Sequence, residues 1–157
     1  MCGWSTEDIM AVKPIPEGYH TVSPYFMVDD ADAFLKFLKD AFDIKTTMEP
    51  MRSPDGKIMH ADVVLGDSHI MFGEGTKEYP AQPVGLYLYV EDCDKIFKQA
   101  IKAGAKSHVE PQDQFWGDRH GCVKDKFGNT WWISTHKKDV SEDEIKKRAK
   151  EAMAKAA

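Results

Sequence analysis

The sequence nearly repeats itself after about 62 residues. Residues 27–36, which read MVDDADAFLK, align with residues 89–98, which read YVEDCDKIFK. At the same offset Gly66 aligns with Gly128. Self-similarity over a segment of this size indicates two copies of one supersecondary unit, each of which completes the core of the other. The sequence therefore predicts two related modules packed in one fold.

Composition excludes several classes of protein. A chain of 157 residues that is 42% hydrophobic is long enough to bury one core. Its net charge of -5 is spread among interspersed acidic and basic residues, which argues against nucleic acid as a partner. There is no apolar run of about 20 residues and no signal-peptide pattern, so we expect a cytoplasmic protein without a membrane partner. Three cysteines without CxxC spacing, Cys2, Cys93 and Cys122, are predicted to be free thiols.

The pattern of apolar and turn-forming residues predicts the order βαβββ twice. Residues 1–18 are an N-terminal lead-in, residues 19–136 form one domain, and residues 137–157 form a C-terminal helical extension. The domain divides into module one, about 19–78, and module two, about 83–136. Module one is predicted to contain a strand at 20–28, a helix from Asp29 or Asp30 to Phe42, and strands at 44–52, 58–65 and 68–73. Module two is predicted to contain a strand at 84–90, a helix at 92–103, and strands near 106–111, 119–124 and 130–135.

The ends of the two modules carry a family resemblance. Residues 64–72 (VLGDSHIMF) and 123–133 (VKDKFGNTWWI), closing paired βαβββ modules, resemble the vicinal oxygen chelate superfamily of glyoxalases, bleomycin-resistance proteins and extradiol dioxygenases. The triplet at 60–62 (HAD) and residues 115–121 (FWGDRHG) look most like its PhnB-like branch. The resemblance implies an α+β fold in which two βαβββ modules form a curled, cup-shaped mixed β-sheet with helices on the outer face. Ligands of the family lie on the inner wall.

The resemblance also implies four positions for metal ligands, on the first and last strands of each module. Here these positions are occupied by Ser23, Met71, Gly85 and Trp132. Divalent ions prefer imidazole, carboxylate or thiolate ligands, which this set does not offer. We therefore expect no metal and no other cofactor, and we interpret Ser23, Met71 and Trp132 as parts of a ligand-binding wall.

Three polar residues of the first terminal hairpin are candidate catalytic residues. If Met71 faces the cup, strand alternation across the two-residue turn places His60, Asp62 and His69 on the same face. His60 and Asp62 would then lie close enough for the carboxylate to orient the imidazole for acid–base chemistry. The alternative is a hydrogen-bonded pair on a solvated sheet face.

Four aromatic residues are predicted to line the cup: Tyr25, Tyr87, Tyr89 and Trp132. Such a wall suits a flat or cationic small molecule, through stacking and cation–π contacts. Ordinary core packing or a dimer interface would explain the same residues. Trp131, next to Trp132 in a strand, is expected to point into the helix layer.

Residues 112–121 are predicted to form a lid over the mouth of the cup. Trp116 would contact the ligand there, and Arg119 would bind an anionic group. Alternatively, an ion pair between Asp118 and Arg119 would only anchor the loop.

These features favour a metal-independent small-molecule-binding protein that sequesters or senses an aromatic or cationic compound. The alternative is a lyase, isomerase or transferase of the same superfamily, which would use a divalent metal or acid–base chemistry at the three hairpin residues. A third possibility is a structural protein whose cup is filled by its own side chains. Curved two-module sheets leave strand edges that need cover, so we also expect a homodimer.

Overall fold

The computed structural model describes residues 12–156 and contains the predicted βαβββ order twice. In the first module the elements are β1 (Tyr25–Val28), α1 (Ala31–Phe42), β2 (Lys45–Thr46), β3 (Met51–Arg52), β4 (Ile58–Leu65) and β5 (Ser68–Glu74). In the second they are β6 (Gly85–Tyr89), α2 (Cys93–Lys102), β7 (Lys106–Asp113), β8 (Asp118–Lys124) and β9 (Thr130–His136). A last helix, α3, covers Glu142–Ala156.

Hydrogen bonding groups the described strands into two mixed sheets, one for each module. The first has the order β1-β5-β4-β2, with β3 also paired to β4, and the second has the order β6-β9-β8-β7. In both sheets the first strand of the module is parallel to its last strand, and the other pairs are antiparallel. The predicted α+β class with curled mixed sheets is confirmed.

The two repeat helices begin in the same way. Asp30 precedes α1, and its side chain accepts a hydrogen bond from the amide of Ala33 at 2.9 Å. Asp92 precedes α2 and accepts one from the amide of Lys95, also at 2.9 Å. These two aspartates are identities of the sequence repeat, so the repeat encodes the helix starts directly.

Both modules contribute to one hydrophobic core. The ring of Trp131 in β9 is fully buried and is stacked on Phe26 of β1, with 5.7 Å between ring centroids. It also contacts Phe42 at 4.7 Å. Phe127 of the second module meets Phe34 of α1 edge to face at 5.2 Å. Aromatic contacts of this kind add stability beyond burial of their area, so neither module has a complete core alone.

Two predicted strands are shorter in the structure. The strand expected at 44–52 is divided into β2 and β3, because Pro50 lies between them and has no N–H to donate to a ladder. The strand expected at 20–28 begins only at Tyr25, directly after Pro24, for the same reason.

The C-terminal extension is a surface helix. Its start is capped by Ser141, whose hydroxyl accepts a hydrogen bond from the amide of Glu144 at 3.3 Å. Arg148 then donates to the carbonyl of Phe115 at 3.2 Å, which ties α3 to the β7–β8 turn. None of its described residues is buried. No helix in the described part of the chain is long and apolar enough to cross a membrane.

Two of the three cysteines are described by the structure. Cys93 and Cys122 are buried free thiols, as predicted. Burial raises the pKa of both, which keeps them protonated. Cys2, together with residues 1–11 of the predicted lead-in, lies outside the described residues.

Candidate functional site

The β4–β5 hairpin has the predicted register. Asp62 is paired with Met71, and Val64 with His69. The other face of this hairpin packs against the core and carries four buried residues: Ala61, Val63, Ile70 and Phe72. The polar residues therefore share the inner face of the first sheet.

Asp62 and His69 form the polar pair of that face. The Asp62 side chain is 5% exposed, and its Oδ1 lies 2.8 Å from Nδ1 of His69. Its Oδ2 accepts a short hydrogen bond from the hydroxyl of Tyr19. The Tyr19 ring is stacked on the His69 ring, with 3.7 Å between centroids and 16° between planes. The hydrogen bond to the carboxylate and burial both raise the pKa of Tyr19, which keeps its hydroxyl protonated.

The predicted pairing of His60 with Asp62 is wrong. Nδ1 of His60 is 3.1 Å from the hydroxyl of Tyr25 instead. A register irregularity in the β3–β4 pairing, beside His60, interrupts the regular ladder there. Sequence reasoning missed Tyr19, because it lies 43 residues before Asp62, between the predicted lead-in and the first predicted strand.

Two other residues of the predicted ligand-binding wall, Met71 and Ser23, belong to this part of the first module. Met71 is half-buried and lies beside Tyr25 in the parallel β1–β5 pair. Ser23 lies before the start of β1 and is half-buried. Their part in ligand binding stays a prediction.

The second sheet presents an aromatic wall, which we define as Tyr87, Tyr89 and Trp132. These side chains are 44%, 66% and 37% exposed, respectively. Tyr87 is paired with Trp132, and its ring centroid is 5.3 Å from that of Tyr89. Trp131 is fully buried on the opposite face, so the predicted alternation of the two tryptophans is confirmed.

A buried carboxylate lies at the end of this wall. Asp118 is 3% exposed and accepts three hydrogen bonds: from Tyr89 Oη at 3.1 Å, Trp116 Nε1 at 3.0 Å and His136 Nδ1 at 2.8 Å. Burial by itself raises the pKa of the Asp118 carboxyl, but the three hydrogen bonds outweigh it and hold the pKa below its usual range. A carboxylate that is ionised at neutral pH therefore lies next to the aromatic wall.

His120 lies beside the aromatic wall and is connected to Tyr87 by two hydrogen bonds through Ser134. Its Nδ1 is 2.9 Å from Oγ of Ser134, which in turn lies 2.7 Å from the hydroxyl of Tyr87. The imidazole is stacked on Tyr87 at 5.5 Å and meets the edge of Trp116 at 6.0 Å. Burial lowers the pKa of His120, so the ring is neutral at neutral pH.

Sequence reasoning did not select these polar partners, although the signal was available. Alternation from Trp132 along β9 places Ser134 and His136 on the same face. The antiparallel β8–β9 pairing then places His120 opposite Ser134, and Asp118 opposite His136.

The lid predicted at 112–121 is a β-hairpin. β7 and β8 are joined by a tight turn at 114–117, where Gly117 has a φ of 105°. Arg119 lies on the face opposite Asp118 because neighbouring strand residues alternate. Its guanidinium pairs with Asp94 of α2 and with Asp113 of β7, and these bonds raise its pKa above the usual range. The alternative Asp118–Arg119 ion pair is therefore wrong, because each side chain is bound to other partners. Contact of Arg119 with an anionic ligand stays a prediction, although its pairs with Asp94 and Asp113 argue against it.

The four positions that the resemblance assigns to metal ligands do not fit a metal. The ring of Trp132 covers Gly85, where a Cβ would lie 2.7 Å from Cζ3 of the indole, so a metal-binding side chain at this position would require the indole to move. Within residues 12–156, no three His, Cys, Asp or Glu side chains are grouped so that they could hold a metal ion.

Comparisons with known proteins place this geometry in a family. Residues 19–133 match the Glyoxalase/Bleomycin resistance protein/Dioxygenase superfamily. Uncharacterized protein Rv0887c of Mycobacterium tuberculosis is 34% identical over 149 residues, which cover 88% of this chain and 85% of that protein. TioX from Micromonospora sp. ML1 has a similar structure, with a TM-score of 0.60 and 26% identity over 73% of this chain and 95% of TioX.

TnmS3, an antibiotic binding protein from Streptomyces sp. CB03234, also has a similar structure. Its TM-score is 0.60, with 18% identity over 81% of this chain and 98% of TnmS3. This likeness concerns the fold. With the two βαβββ modules and the match over residues 19–133, the chain belongs to the Glyoxalase/Bleomycin resistance protein/Dioxygenase superfamily.

Proposed function

We propose that the protein binds a small aromatic or cationic molecule on the aromatic wall of the second sheet, without a metal. One observation carries the proposal: three large aromatic side chains stay partly exposed beside a buried, ionised Asp118. Exposed aromatic residues gathered on one face indicate a binding surface. A flat ligand would stack on Tyr87 and Trp132.

Charge favours a cationic ligand. Aromatic faces attract cations by about 0.5–2 kcal/mol, and more strongly where water is excluded. The Asp118 carboxylate adds a negative charge next to the Tyr89 ring. His136 is the nearest counter-charge, and its bonds to Asp118 and Asp139 raise its pKa, so its protonation at lower pH would weaken this preference.

A protein of similar structure supports the proposal that the chain binds a small molecule. TnmS3 is an antibiotic binding protein on the same scaffold, so the fold is used to bind small molecules. We also infer that the chain belongs to the PhnB-like branch, on the motifs at 60–62 and 115–121.

We infer in addition that the protein is a homodimer. Tyr25, Met59 and Tyr79 are 45%, 60% and 62% exposed, and they line a cavity of about 580 Å³ on the first module. β1 and β6 are edge strands of their sheets. A second copy that covers these features would remove both the exposed apolar area and the open edges.

The test is a thermal-shift screen of protein treated with EDTA. N-methylquinolinium serves as the planar cation and 1-methylnaphthalene as its neutral isostere. A ligand present at 100 times its dissociation constant stabilises a protein by about 2.7 kcal/mol. We expect the cation to stabilise wild type more than the isostere does, and to lose this effect in Trp132→Ala.

Metal content separates this proposal from its rival. Stoichiometric metal retained by wild type but lost in His60→Ala would support the metal-dependent enzyme instead. So would binding that appears only after a divalent ion is added back.

A further inference from the structure

The N-terminal segment at 12–22, which we call the strap, contacts the first sheet chiefly through the side chain of Tyr19. Every residue of the strap is exposed except Tyr19. The Tyr19 amide donates to the carbonyl of Pro16 at 3.1 Å, and Gly18 has a φ of 82°. This turn, which favours glycine, directs the Tyr19 ring onto the inner face.

The contact uses both recognition features of a phenol. The flat ring is stacked on His69, and the hydroxyl donates to Oδ2 of Asp62. The other carboxylate oxygen lies 2.8 Å from Nδ1 of His69, so the imidazole that stacks on the phenol ring also holds the carboxylate that accepts from its hydroxyl. A hydroxyl bonded to a buried carboxylate makes a stronger hydrogen bond than a neutral pair.

We propose that Asp62 and His69 form a binding site for phenols, which the chain's own Tyr19 fills, and that a phenolic ligand displaces the strap. This site lies on the first sheet and does not depend on the function proposed for the second. Tyr19 serves as the bound example of the ligand class: an aromatic ring that carries a hydroxyl group.

Among residues 12–156, the strap makes few other polar contacts. The ion pair of Lys13 with Glu17 lies within the strap and is exposed. The second tie to the sheet joins His20 Nε2 to Asp67 Oδ2 at 3.7 Å, with side chains 49% and 88% exposed. Exposed pairs of this kind contribute little. A free phenol that displaces Tyr19 would therefore make the same contacts with Asp62 and His69 that Tyr19 makes.

The strap also determines how strongly a free phenol can bind. A tethered group competes at an effective concentration in the millimolar range. The apparent affinity of wild type is therefore reduced by the small fraction of molecules in which the strap is open. Removing the Tyr19 side chain removes this competition.

The experiment is a calorimetric titration of wild type and Tyr19→Gly with p-cresol, which is the tyrosine side chain as a free molecule. 4-Methylanisole, with the same shape but no hydrogen to donate, is the matched control. We expect Tyr19→Gly to bind p-cresol at least about tenfold more tightly than wild type. We expect Asp62→Asn in the Tyr19→Gly background to weaken p-cresol binding by about tenfold or more, because the charged acceptor is lost.

Three outcomes would overturn the proposal. Equal binding of p-cresol to wild type and to Tyr19→Gly would show that Tyr19 does not occupy the site. Equal binding of p-cresol and 4-methylanisole would show that the carboxylate does not recognise the hydroxyl. Failure of both Tyr19→Gly and Tyr19→Phe to fold would show that the strap is a structural part of the domain. None of these outcomes bears on the aromatic wall, which is tested with Trp132→Ala.

Discussion

Asp32 and Asp94 occupy the same position in the two modules, and each accepts two hydrogen bonds from one arginine of its own module. Arg52 of β3 reaches the Asp32 carboxylate with N–O distances of 2.7 and 3.0 Å. Arg119 of β8 reaches Asp94, with Nη2 to Oδ1 at 2.9 Å. The arginines do not occupy equivalent positions, so the same helix-to-sheet connection recurs where the sequence repeat does not require it.

We predict that Arg119→Met lowers thermal stability and leaves ligand affinity unchanged. The guanidinium connects α2 to β7 and β8 and lies on the face opposite the aromatic wall. Arg52→Met, the control in the other module, removes a pair that is more exposed, so its melting temperature should fall less. Because salt screens ion pairs, both decreases in melting temperature should be smaller at high salt. Weaker binding of anionic ligands by Arg119→Met would contradict this placement.

The sequence was sufficient for features that depend on periodicity. Alternation separated Trp131 from Trp132, and a two-residue turn placed Asp62 opposite Met71, because the side-chain period of a strand is two. The helix caps were also predictable, since capping chemistry is local.

The features that the sequence did not reveal depend on long-range contacts. The stack of Tyr19 on His69 joins a segment without periodicity to a distant strand. The partner of Arg119 lies on α2, 25 residues away, and no pattern in the chain favours Asp94 over the adjacent Asp118. Only the packing of the module decides between them.

We predict that Trp131→Ala destabilises the protein by about 3–5 kcal/mol, while Trp132→Ala costs much less. Trp131 is fully buried at the junction of the two modules, whereas Trp132 is 37% exposed. Trp132→Ala should instead abolish binding to the aromatic wall. Chemical denaturation measures the first effect and ligand titration the second. A larger stability loss for Trp132→Ala would be inconsistent with the assignment of the wall.

We predict that Asp125→Ala costs about 3 kcal/mol or more, since each buried donor left without a partner costs about 1–3 kcal/mol. The Asp125 side chain accepts from the amides of Phe127 and Asn129, from the Asn129 side chain and from Trp131 Nε1, all at 2.9 Å. Asp67→Ala, in the corresponding hairpin turn of module one, is the control, because that side chain is 88% exposed. Urea denaturation of both variants measures the difference, and equal losses would contradict the role of Asp125.

We predict that His120 makes the protein less stable as the pH falls below about 6.5, the ordinary pKa of histidine. Burial lowers the pKa of His120 in the folded state, so the unfolded chain takes up its proton first and unfolding becomes more favourable. His136 acts in the opposite direction because its pKa is raised. We therefore compare the free energy of unfolding of wild type with that of His120→Gln at several pH values from 5 to 7. If the difference in the free energy of unfolding between the two proteins does not change with pH, the ring is not buried as a neutral group.

We predict that the protein is a dimer in solution and that Met59→Glu makes it monomeric. Met59 is 60% exposed in the isolated chain, beside Tyr25 and Tyr79, so a charge there should not disturb folding. In a dimer that buries this surface, the same carboxylate would be desolvated, and Lys57 of this cavity is already paired with Glu74 at 3.5 Å. Burial of an incompletely paired charge costs several kcal/mol. Met153→Glu is the control, because Met153 is 72% exposed on α3.

Light scattering at micromolar concentration should give twice 17.8 kDa for wild type and for the control, and 17.8 kDa for Met59→Glu. A wild-type mass of 17.8 kDa would disprove the dimer, and a dimeric Met59→Glu would place its interface elsewhere.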